Sequence, residues 1–335
     1  MATLIEDAVE LVGHAAALKA LGYSTLEQVV GTVDATSNEL AAYLNIDSDV
    51  LRRKFVRRPE HQEQLTAAAK RPLLRSFGVR LDRVPPPRFA LMRAPGTQVN
   101  LPLEVNLIGE MAAIRDQAER GTCVAHAATA VAEHYWRTTG QIVDMSRQFL
   151  YWDCKQHDGD PAGEGTWVAV AMARLVADGC CKENTWPYNP VKNPANESQD
   201  PPPASAIVEA GSFKIPSFQQ LTPTSVYDIK SELARQRCVA FSIPVFDSWV
   251  INTTVEATGE IQNPIPNEAV TGGHAMCLVG YKDDAQNASI GGGKFYVRNS
   301  WDSTWGTASV LGTVGYGTIP YSYIAAYCAE AYSIK

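Results

Sequence analysis

The chain has 335 residues, of which 45% are hydrophobic and 19% charged, with 24 glycines and 20 prolines. That balance excludes a disordered or collagen-like polymer and allows about two domains of roughly 150 residues. The net charge of −7 is uneven, because residues 52–93 hold twelve Lys or Arg against three acids and the remainder therefore carries −16.

The N-terminus, MATLIEDAVELVG, places Glu6, Asp7 and Glu10 where a signal peptide needs an unbroken apolar segment, so no signal peptide and a cytoplasmic location are expected. Even the apolar run from Val168 to Ala177 carries Arg174, short of the roughly 18 apolar residues of a membrane span, and no membrane partner is expected. The basic stretch offers only Phe55 and Phe77 before Phe89 and no stacking or zinc-finger motif, so no nucleic-acid partner is expected either. An acidic surface of the same chain accounts for it. The seven cysteines, at 123, 154, 180, 181, 238, 277 and 328, are odd in number and form no CxxC pair, which fits neither a complete disulfide framework nor a zinc ribbon.

In chain order, Leu4 to Leu21 reads as an amphipathic helix ended by Gly22. Ser24 opens a second, with Glu27 completing a capping box, and a third runs from about Ser37 to Val56. Residues 1–58 thus form a small helical domain. Its runs LKALGYSTLEQVV and NELAAYLNI resemble helix-hairpin-helix modules, a spacing that plain helix packing also produces. Residues 59–104 are a basic, proline-rich linker or prosegment, in which Pro85 to Pro87, Pro95 and Pro102 favour an extended strap. From 105 to 335 helices come first, at Thr122–Trp136 and Trp167–Ala177. After a proline-rich loop at 187–204 come strands: CVAFSIPVF, GHAMCLVGYKD, KFYVRNSW and GYGTIPYSYI. This is an α+β order. No GK[ST] follows the loop Gly291–Gly293, so it is not a phosphate cradle.

Three segments carry the chemistry: Gln117 six residues before Cys123, Gly272-Gly273-His274, and Asn299-Ser300-Trp301 followed by Trp305-Gly306. Together they resemble the papain-like cysteine peptidases, with echoes in VNLIGEMAAIRDQ, SRQFLYWDC and NTWPY. His274 and Asn299 lie 151 and 176 residues beyond Cys123, against the roughly 130–150 of papain and the cathepsins, so inserted loops are expected at 246–270 and 283–293. The resemblance implies a two-lobe fold, a helical lobe carrying Cys123 against an antiparallel, barrel-like lobe carrying His274 and Asn299.

It also implies roles. Cys123 is the nucleophile, at the start of a helix whose dipole favours thiolate; His274 is its acid–base partner; Asn299 orients the imidazole and Trp301 shields that contact. Gln117 supplies a donor of the oxyanion hole. Gly165, in Glu164-Gly165, is the nearest match to a glycine pair that binds substrate backbone, and Ser242 falls by position in the main specificity pocket. No metal and no cofactor are implied, since His126 and His134 lack ligand spacing and His126 reads as a hydrogen-bonded core residue.

Arg120 stands where secreted members have a disulfide cysteine, Val124 where they have Trp, and Gly273 where many have Asp. The expected activity is endopeptidase hydrolysis of a peptide or protein substrate, made as a zymogen with residues 1–104 as intramolecular inhibitor. The same residues would serve an acyl-transferring transpeptidase or amide-processing enzyme, and an inert protein-binding module is the reading from outside catalysis.

Overall fold

The computed structural model describes residues 3–55, 77–81, 100–250 and 252–335. The N-terminal residues fold into α1 (Ala15–Ala20), α2 (Leu26–Leu44) and α3 (Ser48–Phe55), after a short 3-10 turn at Val9–Leu11. The second helix begins one residue later than Ser24 and Glu27 suggest. Thr25 is the cap and Gln28 closes the box, because the Glu27 carboxylate turns away to accept from Thr3 N at 3.2 Å. The helix expected from Ser37 is the second half of α2, which kinks where the Thr36 hydroxyl donates back to Thr32 O at 3.1 Å. Asn45, in the left-handed region at φ 53°, then ends it and α3 follows; the expected end at Val56 lies outside the described residues.

These helices have a core of their own, built from Ile5, Leu18, Tyr23, Val29, Leu40 and Phe55. Ile265 joins it from the first expected insertion, which contains α9 (Asp247–Val250) and α10 (Thr253–Thr258). Asn252 donates to Thr32 Oγ1 at 3.1 Å and Thr254 Oγ1 to Glu27 O at 2.9 Å. A Cβ on Gly31 would lie 2.2 Å from Asn252 Oδ1, so the glycine sets how closely α2 approaches.

The larger core belongs to the remaining chain. Helix α4 (Cys123–Thr138) is buried from Cys123 to His134, as an alanine-rich helix apolar nearly all round demands. It packs with α5 (Arg147–His157) and α6 (Val168–Ala177) to form the helical lobe. Further along, α7 (Ala204–Ala210) and α8 (Val226–Ala234) precede the longer strands. The strands are β1 (Glu104–Asn106), β2 (Phe218–Gln220), β3 (Val239–Phe246), β4 (Val270–Asp283), β5 (Gly293–Arg298), β6 (Tyr316–Pro320) and β7 (Glu330–Ile334). All pairings between them are antiparallel, in the order β2-β7-β3-β4-β5-β6 with β1 also on β4, and among the described residues β2 and β6 are not bonded to close a barrel.

Strand β4 is the axis of the site. It carries His274, pairs with β3 and β5, and takes α4 across its face. The segment read as one strand, GYGTIPYSYI, is strand only to Pro320, which becomes the N-cap of α11 (Tyr321–Tyr327). All seven cysteines are buried free thiols, and Cys154 is bonded to neither Cys180 nor Cys181. Among the described residues no helix is long and apolar enough to cross a membrane.

Candidate active site

Cys123 is the first residue of α4 and has no exposed surface. Its thiol is pushed up to about 11 by burial, against the pull of backbone N–H groups of Ala275 and Gly78 that donate to the sulfur. Ala275 follows His274 on β4, so Cys123 of one lobe meets the imidazole-bearing strand of the other. His274 Nε2 lies 2.8 Å from Asn299 Oδ1, an acceptor that holds the proton on Nε2 and sets the ring direction. The Trp301 ring stacks on His274 at 4.7 Å with 29° between planes, while Trp249 and Phe77 present edges at 5.9 and 6.1 Å. Three aromatic rings thus surround the His274 imidazole, and both His274 and Asn299 are buried.

Gln117 is buried beside them. Its Oε1 accepts from Ser300 Oγ at 2.7 Å, its Nε2 donates to Arg120 O at 2.9 Å, and its backbone N–H donates to Ser300 O at 2.9 Å. Ser300 joins the loop of Gln117 to the loop of Asn299, so both lobes share one network.

Arg120 has no exposed surface, and its guanidinium donates to Gln148 Oε1 at 2.7 Å, Asn189 O at 2.7 Å and Glu197 O at 2.9 Å. Through this charged hub the 187–199 loop is tied to α5. His126 fills the space behind, with Nδ1 3.0 Å from Thr122 O. Burial first, and the Arg147 charge second, push it down to about 3, so it is neutral.

Gly165 lies in the cleft at φ 81°, but its own polar groups face inward: N–H donates to Tyr151 Oη at 2.9 Å and C=O accepts from Lys155 Nζ at 2.8 Å. The backbone edge that faces the 77–81 segment belongs to Thr166, a residue that its side chain gives no reason to nominate. Ser242 is fully buried and donates to Glu330 Oε2 at 3.1 Å. The Glu330 carboxylate also accepts from Val168 N at 3.1 Å and Ala169 N at 2.9 Å, capping α6, whose own N-cap position is occupied by Trp167.

Residues 77–81 lie along the cleft. Thr166 N donates to Gly78 O at 2.9 Å and Arg80 N to Thr166 O at 3.2 Å, a parallel bridge on the helical side. Val79 N donates to Gly273 O at 3.0 Å on the strand side. Phe77 fits against Gly272, where a Cβ would approach its ring to 2.9 Å, and a Cβ on Gly273 would meet Val79 O at 2.7 Å. The bare backbone of Gly272 and Gly273 thus makes room for this segment. Arg80 pairs with Asp160 at 3.1 Å and lies 4.7 Å over the Trp167 ring. The proline-rich part of the strap, and most of the basic stretch expected to dock, lie outside the described residues.

Residues 104–317 match the model of the papain family of cysteine proteases. A peptidase C1-like protein of Acanthamoeba polyphaga mimivirus is 28% identical over 221 residues, 63% of this chain and 65% of that protein, so the chain spans just under two thirds of that relative. Xylellain, a cysteine protease from Xylella fastidiosa, shares 25% identity at a TM-score of 0.66, over 79% of this chain and 98% of that one. The digestive procathepsin L 3 of the Tenebrio molitor larval midgut has the same fold at 14% identity and a TM-score of 0.54, over 98% of this chain and 100% of that one. With the family match covering well over half of its length, the chain belongs to the papain family of cysteine proteases.

Proposed function

We propose that the protein is a cysteine endopeptidase held latent by its own N-terminal region, residues 1–104, with the peptidase domain beginning at about 105. The observation that carries this is the backbone of residues 77–81 hydrogen-bonded to Thr166 and Gly273 on opposite walls of the cleft, over Cys123. Gly78 presents an N–H to the sulfur. A thiolate attacks a carbonyl carbon, so a peptide held in this direction covers the nucleophile without being cleaved.

Once the segment leaves, the thiol regains water, which together with the positive end of α4 on which it sits favours thiolate. His274 Nδ1 takes the thiol proton. Sulfur then adds to the substrate carbonyl, and the developing oxyanion is met by the Cys123 backbone N–H and the Gln117 amide. The C–N bond breaks as His274 returns the proton to the departing amine, leaving a thioester. Water, deprotonated by the same imidazole, releases the acid and restores the thiol. Asn299 keeps the ring in place throughout. Thr166 contributes the backbone ladder to the substrate, and the glycines at 165, 272 and 273 keep the walls close enough for one.

The test is alkylation of Cys123 by iodoacetamide, read by mass spectrometry, in chain nicked with trypsin at residues such as Arg75 and Arg83. Wild type should label at least tenfold faster than His274→Ala. Equal slow rates would rule out an activated nucleophile.

A further inference from the structure

The peptide from Gln117 to Thr122 carries the oxyanion amide and leads directly into Cys123, yet it is a loop, with Ala118 in the left-handed region at φ 50°. Such a loop holds a donor in place only if its neighbours do. On the cleft side Ser300 holds the Gln117 side chain. On the outer side one group touches both ends: the Tyr188 hydroxyl donates to Gln117 O at 2.8 Å and lies 2.7 Å from Thr122 Oγ1.

A hydroxyl has one hydrogen, so the chain of bonds runs from Thr122 Oγ1 to Tyr188 Oη to Gln117 O. The phenol is mostly buried, and burial raises it to about 12, which keeps it a donor across the working range of a protease. Its ring packs edge-on to His126 at 5.0 Å, and the Arg120 guanidinium lies 5.2 Å from it while bonding the next residue's carbonyl, Asn189 O, at 2.7 Å. The Tyr188 backbone N–H donates to Glu183 at 2.8 Å. Tyr188 is therefore fixed from its backbone, ring face and hydroxyl, and that hydroxyl bridges the two ends of the loop.

We propose that Tyr188 is a positioning residue for the oxyanion hole, its hydroxyl setting the separation between Gln117 and the start of α4 so that the two donors converge on one oxygen. The proposal rests on the hydrolytic reading above. It assigns to the 187–199 loop, anchored by Arg120, an indirect part in transition-state stabilisation.

The experiment uses the full chain nicked with trypsin, with concentrations normalised to Cys123 alkylated. Tyr188→Phe keeps the ring and removes the bridge; Thr122→Val removes its other end; Gln117→Ala is the control. For a peptide anilide, Tyr188→Phe is expected to lower kcat about tenfold with KM within twofold, and to weaken inhibition by a peptide aldehyde, whose adduct bears an oxyanion, by a similar factor. Iodoacetamide alkylation of Cys123, which forms no oxyanion, should stay within twofold of wild type, and Thr122→Val should follow the same pattern. Unchanged kcat in Tyr188→Phe while Gln117→Ala is impaired would overturn the proposal alone. A parallel fall in kcat and alkylation would also overturn it, because that is the mark of general disruption. Unchanged kcat in Gln117→Ala would instead overturn the oxyanion reading on which the proposal stands.

Discussion

Replacing Gly78 by Ala should turn the latent chain into one with an accessible thiol. A Cβ on Gly78 would lie 1.9 Å from Gly121 O and 2.2 Å from Gly121 C, both backbone atoms, where ordinary contact begins near 3.4 Å. One side must move by more than an ångström. The Gly121 side is anchored through Arg120, Tyr188 and Ser300, so the strap is the partner that yields. Displacement breaks the three backbone bonds to Thr166 and Gly273. At about 1 kcal/mol net for each, roughly 3 kcal/mol is lost, equivalent to a population of open cleft about a hundredfold larger. The assay is the iodoacetamide rate at Cys123 in the intact, un-nicked chain at neutral pH, with the other six buried thiols as internal reference. A rate for Gly78→Ala within twofold of wild type, in a chain with unchanged melting temperature, would refute the claim that these bonds keep the thiol covered.

Two further substitutions probe groups that hold the site from behind. Burial pushes His126 down to about 3, with Arg147 adding to the shift, whereas an unfolded histidine titrates near 6.5. Its stabilising contribution is therefore complete above 6.5 and is lost as pH falls from there towards 3, so His126→Phe should flatten the acid arm of a plot of Tm against pH. An equally steep arm in the variant would show that another group controls it. Glu330→Gln leaves the amides of Val168 and Ala169 without a charged acceptor and should cost about 1–2 kcal/mol, seen as a lower Tm in the nicked and intact chains alike. An unchanged Tm would mean that water replaces the cap.

Cys123, His274, Asn299 and Gln117 could be nominated from sequence because each offers its chemistry through its side chain and stands in a fixed local motif, and the structure brings their loops and strands together. The strand-rich half was legible through its long apolar runs. Helix α5 was not, because Arg147, Gln148, Asp153 and Lys155 are polar residues that it buries, which erases the amphipathic stripe. Lys155 is buried by pairing with Asp158 at 2.7 Å and by holding the Gly165 carbonyl, partners no local pattern reveals. Thr166 escaped notice for a related reason: it bonds Gly78 and Arg80 through its main chain, and any residue has one. The strap was sought among the prolines after residue 84, while the residues that occupy the cleft are Phe77 to Leu81, selected by the absence of a side chain at Gly78 and by the edge of Phe77 against His274. The capping box moved by one residue because Glu27 found a distant partner in Thr3.

The central claim is that this chain is a peptidase whose cleft is closed by its own residues 77–81. It is tested most directly by following hydrolysis of an unfolded protein substrate by the intact chain before and after brief trypsin nicking, with trypsin then inhibited, beside Cys123→Ala treated in the same way. The account predicts little hydrolysis before nicking, a rise of at least tenfold afterwards, and none at any stage from Cys123→Ala. Equal activity of intact and nicked wild type, or activity surviving in Cys123→Ala, would contradict it.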